Sequence, residues 1–111
     1  VGSPTWSRMI AETTAHALRQ VRAPADARAL SGIYHLCASG STSWHGFASA
    51  IVNLMPPAEK KCHTVEAITS AEFPTPTKRP AYSVMSCAKL ERACGLRLPD
   101  WHDSLRQVLE K

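Results

Sequence analysis

Glycine is scarce in this chain, and its five glycines never fall at phosphate-cradling spacing. Gly2, Gly32, Gly40, Gly46 and Gly95 fit neither G-x-G-x-x-G nor a P-loop, which excludes nucleotide binding by a glycine-rich turn within these residues. No Tyr has a Lys four positions on: Tyr34 is followed by Ala38 and Tyr82 by Ser86. The chain therefore holds no Tyr–Lys proton-transfer pair, and no catalytic residue is assigned to it. His16, His35, His45, His63 and His102 form no H-x-x-x-H or H-E-x-x-H pattern, so no metal site is expected. Cys37, Cys62, Cys87 and Cys94 form no C-x-x-C, and no signal peptide precedes them. They read as free thiols of a reducing, cytoplasmic protein. No apolar run reaches the length of a membrane span, so no membrane partner is expected. Charge runs are missing too. The net charge is +4, yet only Lys60-Lys61 and Lys78-Arg79 are adjacent basic pairs, too sparse for a nucleic-acid stripe.

What is present is concentrated in Phe73-Pro74-Thr75-Pro76-Thr77-Lys78-Arg79-Pro80. Pro74, Pro76 and Pro80 stiffen the backbone and remove donors, so this run is neither helix interior nor central strand. It reads as a semi-rigid loop with a Lys-Arg pair at its tip. Residues 74–97 hold Lys78, Arg79, Lys89, Arg92 and Arg97 against the single acid Glu91. A guanidinium held on a stiff loop suits a doubly charged oxygen ligand such as phosphate. Arg79 and Lys78 are the candidate binding residues.

The length of 111 residues sets one domain with one modest core. Ser3-Pro4-Thr5 opens a helix over about 4–22, with Met9, Ile10, Thr13, Thr14, Ala17, Leu18 and Val21 on its apolar side. Ala23-Pro24-Ala25-Asp26 ends it, and residues 25–31 read as a loop with at most a helical turn. Gly32-Ile33-Tyr34-His35-Leu36-Cys37 reads as a buried strand, with His35 a core residue. Trp44, Phe47, Ala48, Ile51, Val52 and Met55 mark a helix over about 43–55 that Pro56-Pro57 stops. His63, Val65, Ala67 and Thr69 alternate as a second strand. Ser86 caps a short helix closed by Gly95, and Leu98-Pro99-Asp100-Trp101 opens the last helix. The expected fold class is α/β, with about four helices and two or three short strands. Two strands make a poor sheet, so a partner outside the chain is expected to complete it, and an uncovered apolar face invites self-association.

Other candidates read as structural. Cys62 and His63, adjacent on a strand, face opposite sides and cannot act on one atom. Asp100 and Asp103 suit a helix start. Trp6, Trp44 and Trp101 each sit near a helix start and read as packing anchors, with stacking on a base or sugar as the alternative.

Several segments occur together in a familiar order. They are Val1-Gly2-Ser3-Pro4-Thr5-Trp6, Thr14-Ala15-His16-Ala17-Leu18, Gly32-Ile33-Tyr34-His35-Leu36, and Ser39-Gly40-Ser41-Thr42-Ser43-Trp44 with Phe47. Pro74-Thr75-Pro76-Thr77-Lys78-Arg79-Pro80, Lys89-Leu90 and Leu98-Pro99-Asp100-Trp101 follow. The ordered set resembles the C-terminal part of the dTDP-4-dehydrorhamnose reductase family, extended short-chain dehydrogenases, over almost the entire chain. The resemblance implies a parent enzyme that uses NADPH or NADH to reduce dTDP-4-dehydro-L-rhamnose to dTDP-L-rhamnose. It further implies an N-terminal Rossmann domain that carries the cofactor and the Tyr–Lys pair, both missing here. By that resemblance residues 1–111 are the substrate-binding portion, inactive and cofactor-free alone, with a dTDP-sugar as ligand. The chain's start at Val1 without Met agrees with a piece of something longer. The family's Arg before Pro in P-T-P-x-x-R-P maps onto Arg79, and in related enzymes an arginine in this region meets the diphosphate. Two departures stand out: Lys78 occupies a position where a second Arg is usual, and Tyr82 one where a small polar residue is common. The rival readings are the substrate domain of another nucleotide-sugar epimerase or reductase, and a free-standing module that binds phosphate ligands or a protein.

Overall fold

A computed structural model describes residues 1–110. Its regular structure is helical: α1 (Ser7–Arg19), α2 (Pro24–Leu30), α3 (Trp44–Leu54), α4 (Ala88–Cys94) and α5 (Trp101–Leu109), with single 3₁₀ turns at Pro57–Glu59 and Ser70–Glu72. The expected α/β class is overturned. Among the described residues there is no strand, only isolated bridges between Gly2 and Thr42 and between Ser39 and Asp100. Residues 33–37 are not helical, but no backbone ladder forms along them. The amide of Cys37 donates to the Cys87 sulfur and that of Ala38 to the Thr5 hydroxyl. An apolar run rich in β-branched and aromatic residues disfavours helix, but a strand also needs a neighbouring backbone, and these residues meet side chains instead. His35, expected in the core, is exposed. The alternation over 63–69 likewise yields no strand; its Val65 carbonyl lies 3.1 Å from His45 Nε2 rather than against a backbone amide.

Helix ends follow local chemistry. Ser43 caps α3 by accepting from the Gly46 amide at 3.0 Å, and Asp100 caps α5 by accepting from the His102 amide at 2.9 Å. Gly95 ends α4 at φ +67, a left-handed conformation that glycine adopts without strain. The segment read as a loop over 25–31 is mostly α2. Pro24 takes its first position and the Asp26 carboxylate accepts from the amides of Arg22 (3.0 Å) and Ala23 (3.1 Å). α1 begins at Ser7 rather than Pro4, because Ser3 and Thr5 are engaged elsewhere.

The core is small: Cys37, Ala38, Ala50, Leu90, Leu98 and Leu105 are its buried apolar residues. The principal helix contact is α3 on α5, with Phe47 edge-on to Trp101 at 6.1 Å between ring centroids. Around this pair, four segments are tied edge to edge. Ser39 pairs with the 99–101 stretch through its amide to the Pro99 carbonyl (3.1 Å) and its carbonyl to the Trp101 amide (3.1 Å). Gly2 and Thr42 exchange two backbone bonds of 2.9 and 2.8 Å, and the Ser83 amide donates to the Val1 carbonyl at 2.8 Å. This strip brings the end of the proline loop beside residues 1–5.

Candidate functional site

Where the strip meets α3 it leaves an open groove of about 550 Å³. One wall is Val1 to Thr5; another is Thr42, Ser43, Trp44 and Phe47 at the start of α3; the third is Arg79, Pro80 and Ser83. Each wall is held in position by identifiable contacts. The Ser3 hydroxyl donates to the Gly40 carbonyl at 2.6 Å, which locks the first wall to the turn before α3. The Ser43 cap starts α3 so that Trp44, its first residue, projects outward with 84% of its surface exposed. Pro80 fixes the backbone next to Arg79, and the Val1 nitrogen donates to the Ala81 carbonyl at 2.7 Å.

The chemistry of the groove is uneven. Its lining contains one cationic side chain, Arg79, and no Asp or Glu. Among the described residues the ion pairs are Arg8 with Glu12 and Arg106 with Asp103, and Arg79 enters neither. Its guanidinium is exposed on the groove wall. Trp44 offers a free aromatic face, and Ser3, Thr5, Thr42, Ser43 and Ser83 supply hydroxyls. Such a set can hold an anion, a flat apolar ring and a polyhydroxylated body in one place.

Of the two residues expected to bind, Arg79 lines the groove and Lys78 does not; Lys78 is exposed on the loop outside it. Trp44 was legible only as one of three tryptophans near helix starts. The other two are spent locally. Trp101 packs on Phe47, and Trp6 lies under the Arg8 guanidinium at 5.6 Å. The first wall was not legible at all, because residues 1–5 and 79–83 meet across nearly the entire chain.

The remaining candidates do not converge. Cys62 is exposed and donates to the Thr64 carbonyl at 3.2 Å, with no His in contact. Among the described residues no group of three His, Cys, Asp or Glu could hold a metal ion. Asp103 pairs with Arg106 at 2.5 Å, and Asp100 is occupied as the cap of α5. No described helix is long and apolar enough to cross a membrane.

The residues present do not fit a dinucleotide cofactor. The glycines lie in separate elements. At α3, where Gly46 follows a Ser–Thr-rich turn, its amide is already taken by the Ser43 hydroxyl, and a Cβ there would meet the Thr42 hydroxyl.

Comparison with known proteins places this groove in context. Residues 1–111 match the family model of the RmlD substrate binding domain. A dTDP-4-dehydrorhamnose reductase from Burkholderia thailandensis is 44% identical over 105 residues, which cover 90% of this chain and 35% of that protein. A dTDP-4-dehydrorhamnose reductase from Sinorhizobium fredii is 42% identical over 80 residues, covering 72% of this chain and 27% of the relative. The spore coat polysaccharide biosynthesis protein SpsK of Bacillus subtilis is 35% identical over 112 residues, covering 100% of this chain and 34% of its own. The chain spans about a third of the length of these relatives.

Proposed function

Because the chain belongs to the family of the RmlD substrate binding domain, we propose that it holds the sugar nucleotide of a dTDP-4-dehydrorhamnose reductase. The groove between residues 1–5, the start of α3 and the end of the proline loop is the binding site in this reading. The protein that carries the chain reduces dTDP-4-dehydro-L-rhamnose to dTDP-L-rhamnose with NADPH or NADH. Hydride and proton come from outside residues 1–111 in this reading, since the sequence holds neither a dinucleotide-binding glycine motif nor a Tyr-x-x-x-Lys pair.

The observation that carries the proposal is the pairing of Arg79 with Trp44 in one acid-free groove. A dTDP-sugar is a flat base, a diphosphate and a hydroxylated ring. Arg79 answers the diphosphate with a directional, charge-assisted hydrogen bond. Trp44 gives the thymine or the deoxysugar an apolar face. Ser3, Thr5, Thr42 and Ser43 give the rest of the lining a polar character that suits the hydroxylated ring. The absence of a lining carboxylate keeps the dianion from being repelled.

The test is dTDP-sugar affinity of the full-length protein and two variants, by calorimetry. A charged hydrogen bond lost from such a site costs on the order of 1.5–3 kcal/mol. Arg79→Ala is therefore expected to weaken dTDP binding by roughly ten- to a hundredfold. NADPH affinity stays unchanged. Lys78→Ala costs less, because it stands outside the groove and its ammonium is less directional. An Arg79→Ala protein with wild-type dTDP affinity removes the site assignment. Failure to convert the keto sugar, with dTDP binding intact, redirects the function to another nucleotide sugar.

A further inference from the structure

Outside the groove lining, two of the four thiols touch. Cys37 Sγ and Cys87 Sγ are 3.5 Å apart although 50 residues separate them in sequence. They are held reciprocally: the Cys37 amide donates to Cys87 Sγ at 3.3 Å, and Cys87 Sγ lies 3.7 Å from the Cys37 carbonyl. Cys37 Sγ also reaches the Met85 carbonyl at 3.5 Å. The other cysteines stand apart, Cys62 on an exposed loop and Cys94 at the end of α4. A disulfide needs its sulfurs about 2.0 Å apart. Contacting thiols, one of which is already held by the other residue's backbone amide, need only a small approach.

The pair is asymmetric and accessible. Cys37 is 8% exposed, while Cys87 is half-buried. Both line a second cleft of about 320 Å³, shared with Ser3, Ser39 and Arg97. A small oxidant that enters this cleft meets the more open Cys87 first.

We propose that Cys37 and Cys87 form a reversible disulfide, a redox-modification site for a low-molecular-weight disulfide such as glutathione disulfide. In its thiolate form Cys87 attacks one sulfur of glutathione disulfide. The S–S bond of the oxidant breaks, one glutathione thiolate leaves, and Cys87 carries the other half as a mixed disulfide. Cys37 loses its proton to solvent and attacks Cys87 Sγ. The Cys37–Cys87 bond forms as the second glutathione thiolate departs. Two protein thiols are oxidised and one glutathione disulfide is reduced to two glutathiones. The bond closes a loop whose interior contains Trp44 and Arg79, so oxidation fixes both ends of the segment that supplies two walls of the groove. The inference rests on the thiol geometry alone and stands whatever ligand the groove takes.

Trypsin makes the test clean, because each cysteine falls in its own peptide: Cys37 in 29–60, Cys62 in 62–78, Cys87 in 79–89 and Cys94 in 93–97. The full-length protein is incubated with excess glutathione disulfide, alkylated under denaturing conditions and digested without reductant. The expected product is peptide 29–60 joined to 79–89, abolished by dithiothreitol. Exposed Cys62 is expected to carry glutathione instead. The Cys37→Ser variant is expected to trap glutathione on Cys87, and Cys94→Ser to leave the cross-link unchanged. Cys87 found in wild type only as a glutathione adduct, or joined to another peptide, overturns the proposal. So does an unmodified Cys87 beside a fully modified Cys62.

Discussion

Ser104 carries a hydroxyl that nothing around it answers. It is 3% exposed on the inner face of α5, and no partner for its oxygen exists among the described residues. A buried unpaired hydroxyl costs about 1–3 kcal/mol. Ser104→Ala is therefore expected to raise stability by about 1 kcal/mol, read as a higher urea midpoint with an unchanged slope. A lower midpoint would mean that the hydroxyl has a partner after all. Gly40 is the opposite case. Its φ of +76 is left-handed, and a Cβ there would run into the Asp100 carboxylate that caps α5. Gly40→Ala is expected to cost about 2 kcal/mol and to loosen the turn that Ser3 holds. Cys37 adds a pH dependence. Burial first, and then Cys87 beside it, push its thiol above the ordinary value of 9.0. The folded chain then binds this proton more tightly than the unfolded one. The corresponding stability is present below pH 9 and lost as pH rises toward the higher native value. Melting temperature is expected to fall on the alkaline side of pH 9, with a shallower fall in Cys37→Ala; identical slopes would place the effect on other groups. Residue chemistry was also where the groove could be read in sequence. Arg79 stood out because prolines fix its backbone, a local property. Trp44 did not, because its exposure depends on which neighbours reach it, and that is decided by contacts distant in sequence.

At the scale of elements, what could be read depended on whether the signal was self-contained. α3, α4 and α5 carry their own caps and stops. Ser43, Gly95 and Asp100 act through bonds to residues two to four positions away, and all three helices were legible to within a few residues. α2 was missed although its signal was present. Pro24 was read as a terminator of α1, whereas proline at a first helical position with Asp26 reaching back to the preceding amides is a start. The two expected strands fail to form for a different reason. Periodicity reports which faces of an extended segment are apolar, not whether a backbone lies alongside. Residues 33–37 and 63–69 have no such neighbour among the described residues. The cap of α5 makes the element-scale prediction. Asp100→Ala removes the bond to the His102 amide and is expected to cost about 1 kcal/mol. Asp100→Asn retains an acceptor and is expected to keep most of it. Equal losses in urea melts of the two variants would show that charge, not the hydrogen bond, is what counts.

At the scale of the molecule, this chain is too open for its size. Its Cα radius of gyration is 17.5 Å, where a compact domain of this length has about 13 Å. Its accessible surface is 8406 Å², against roughly 6,000 Å² for a folded protein of its mass. Among the described residues no large side chain is fully buried, and Ile33, Trp44, Phe73, Leu18 and Tyr82 are each 65% exposed or more. α1 shows the same excess, since none of its residues is buried, yet Ala17 and Leu18 line an apolar groove with Tyr34, Leu36 and Leu90. An apolar face of this extent is stable in water only when something covers it. For residues 1–111 produced alone, the available cover is a second copy. Sedimentation velocity across a hundredfold concentration range is therefore expected to show mass-dependent association, weakening on dilution. Co-expression with the part of a reductase relative that lies outside the match should replace that association with a defined complex. A chain that stays monomeric at the highest concentration, with a scattering radius near the compact value, would mean that residues 1–111 close on themselves and cover their own apolar face. The groove that joins Arg79 to Trp44 would then be closed as well, because the openness that exposes Trp44 is part of the same arrangement.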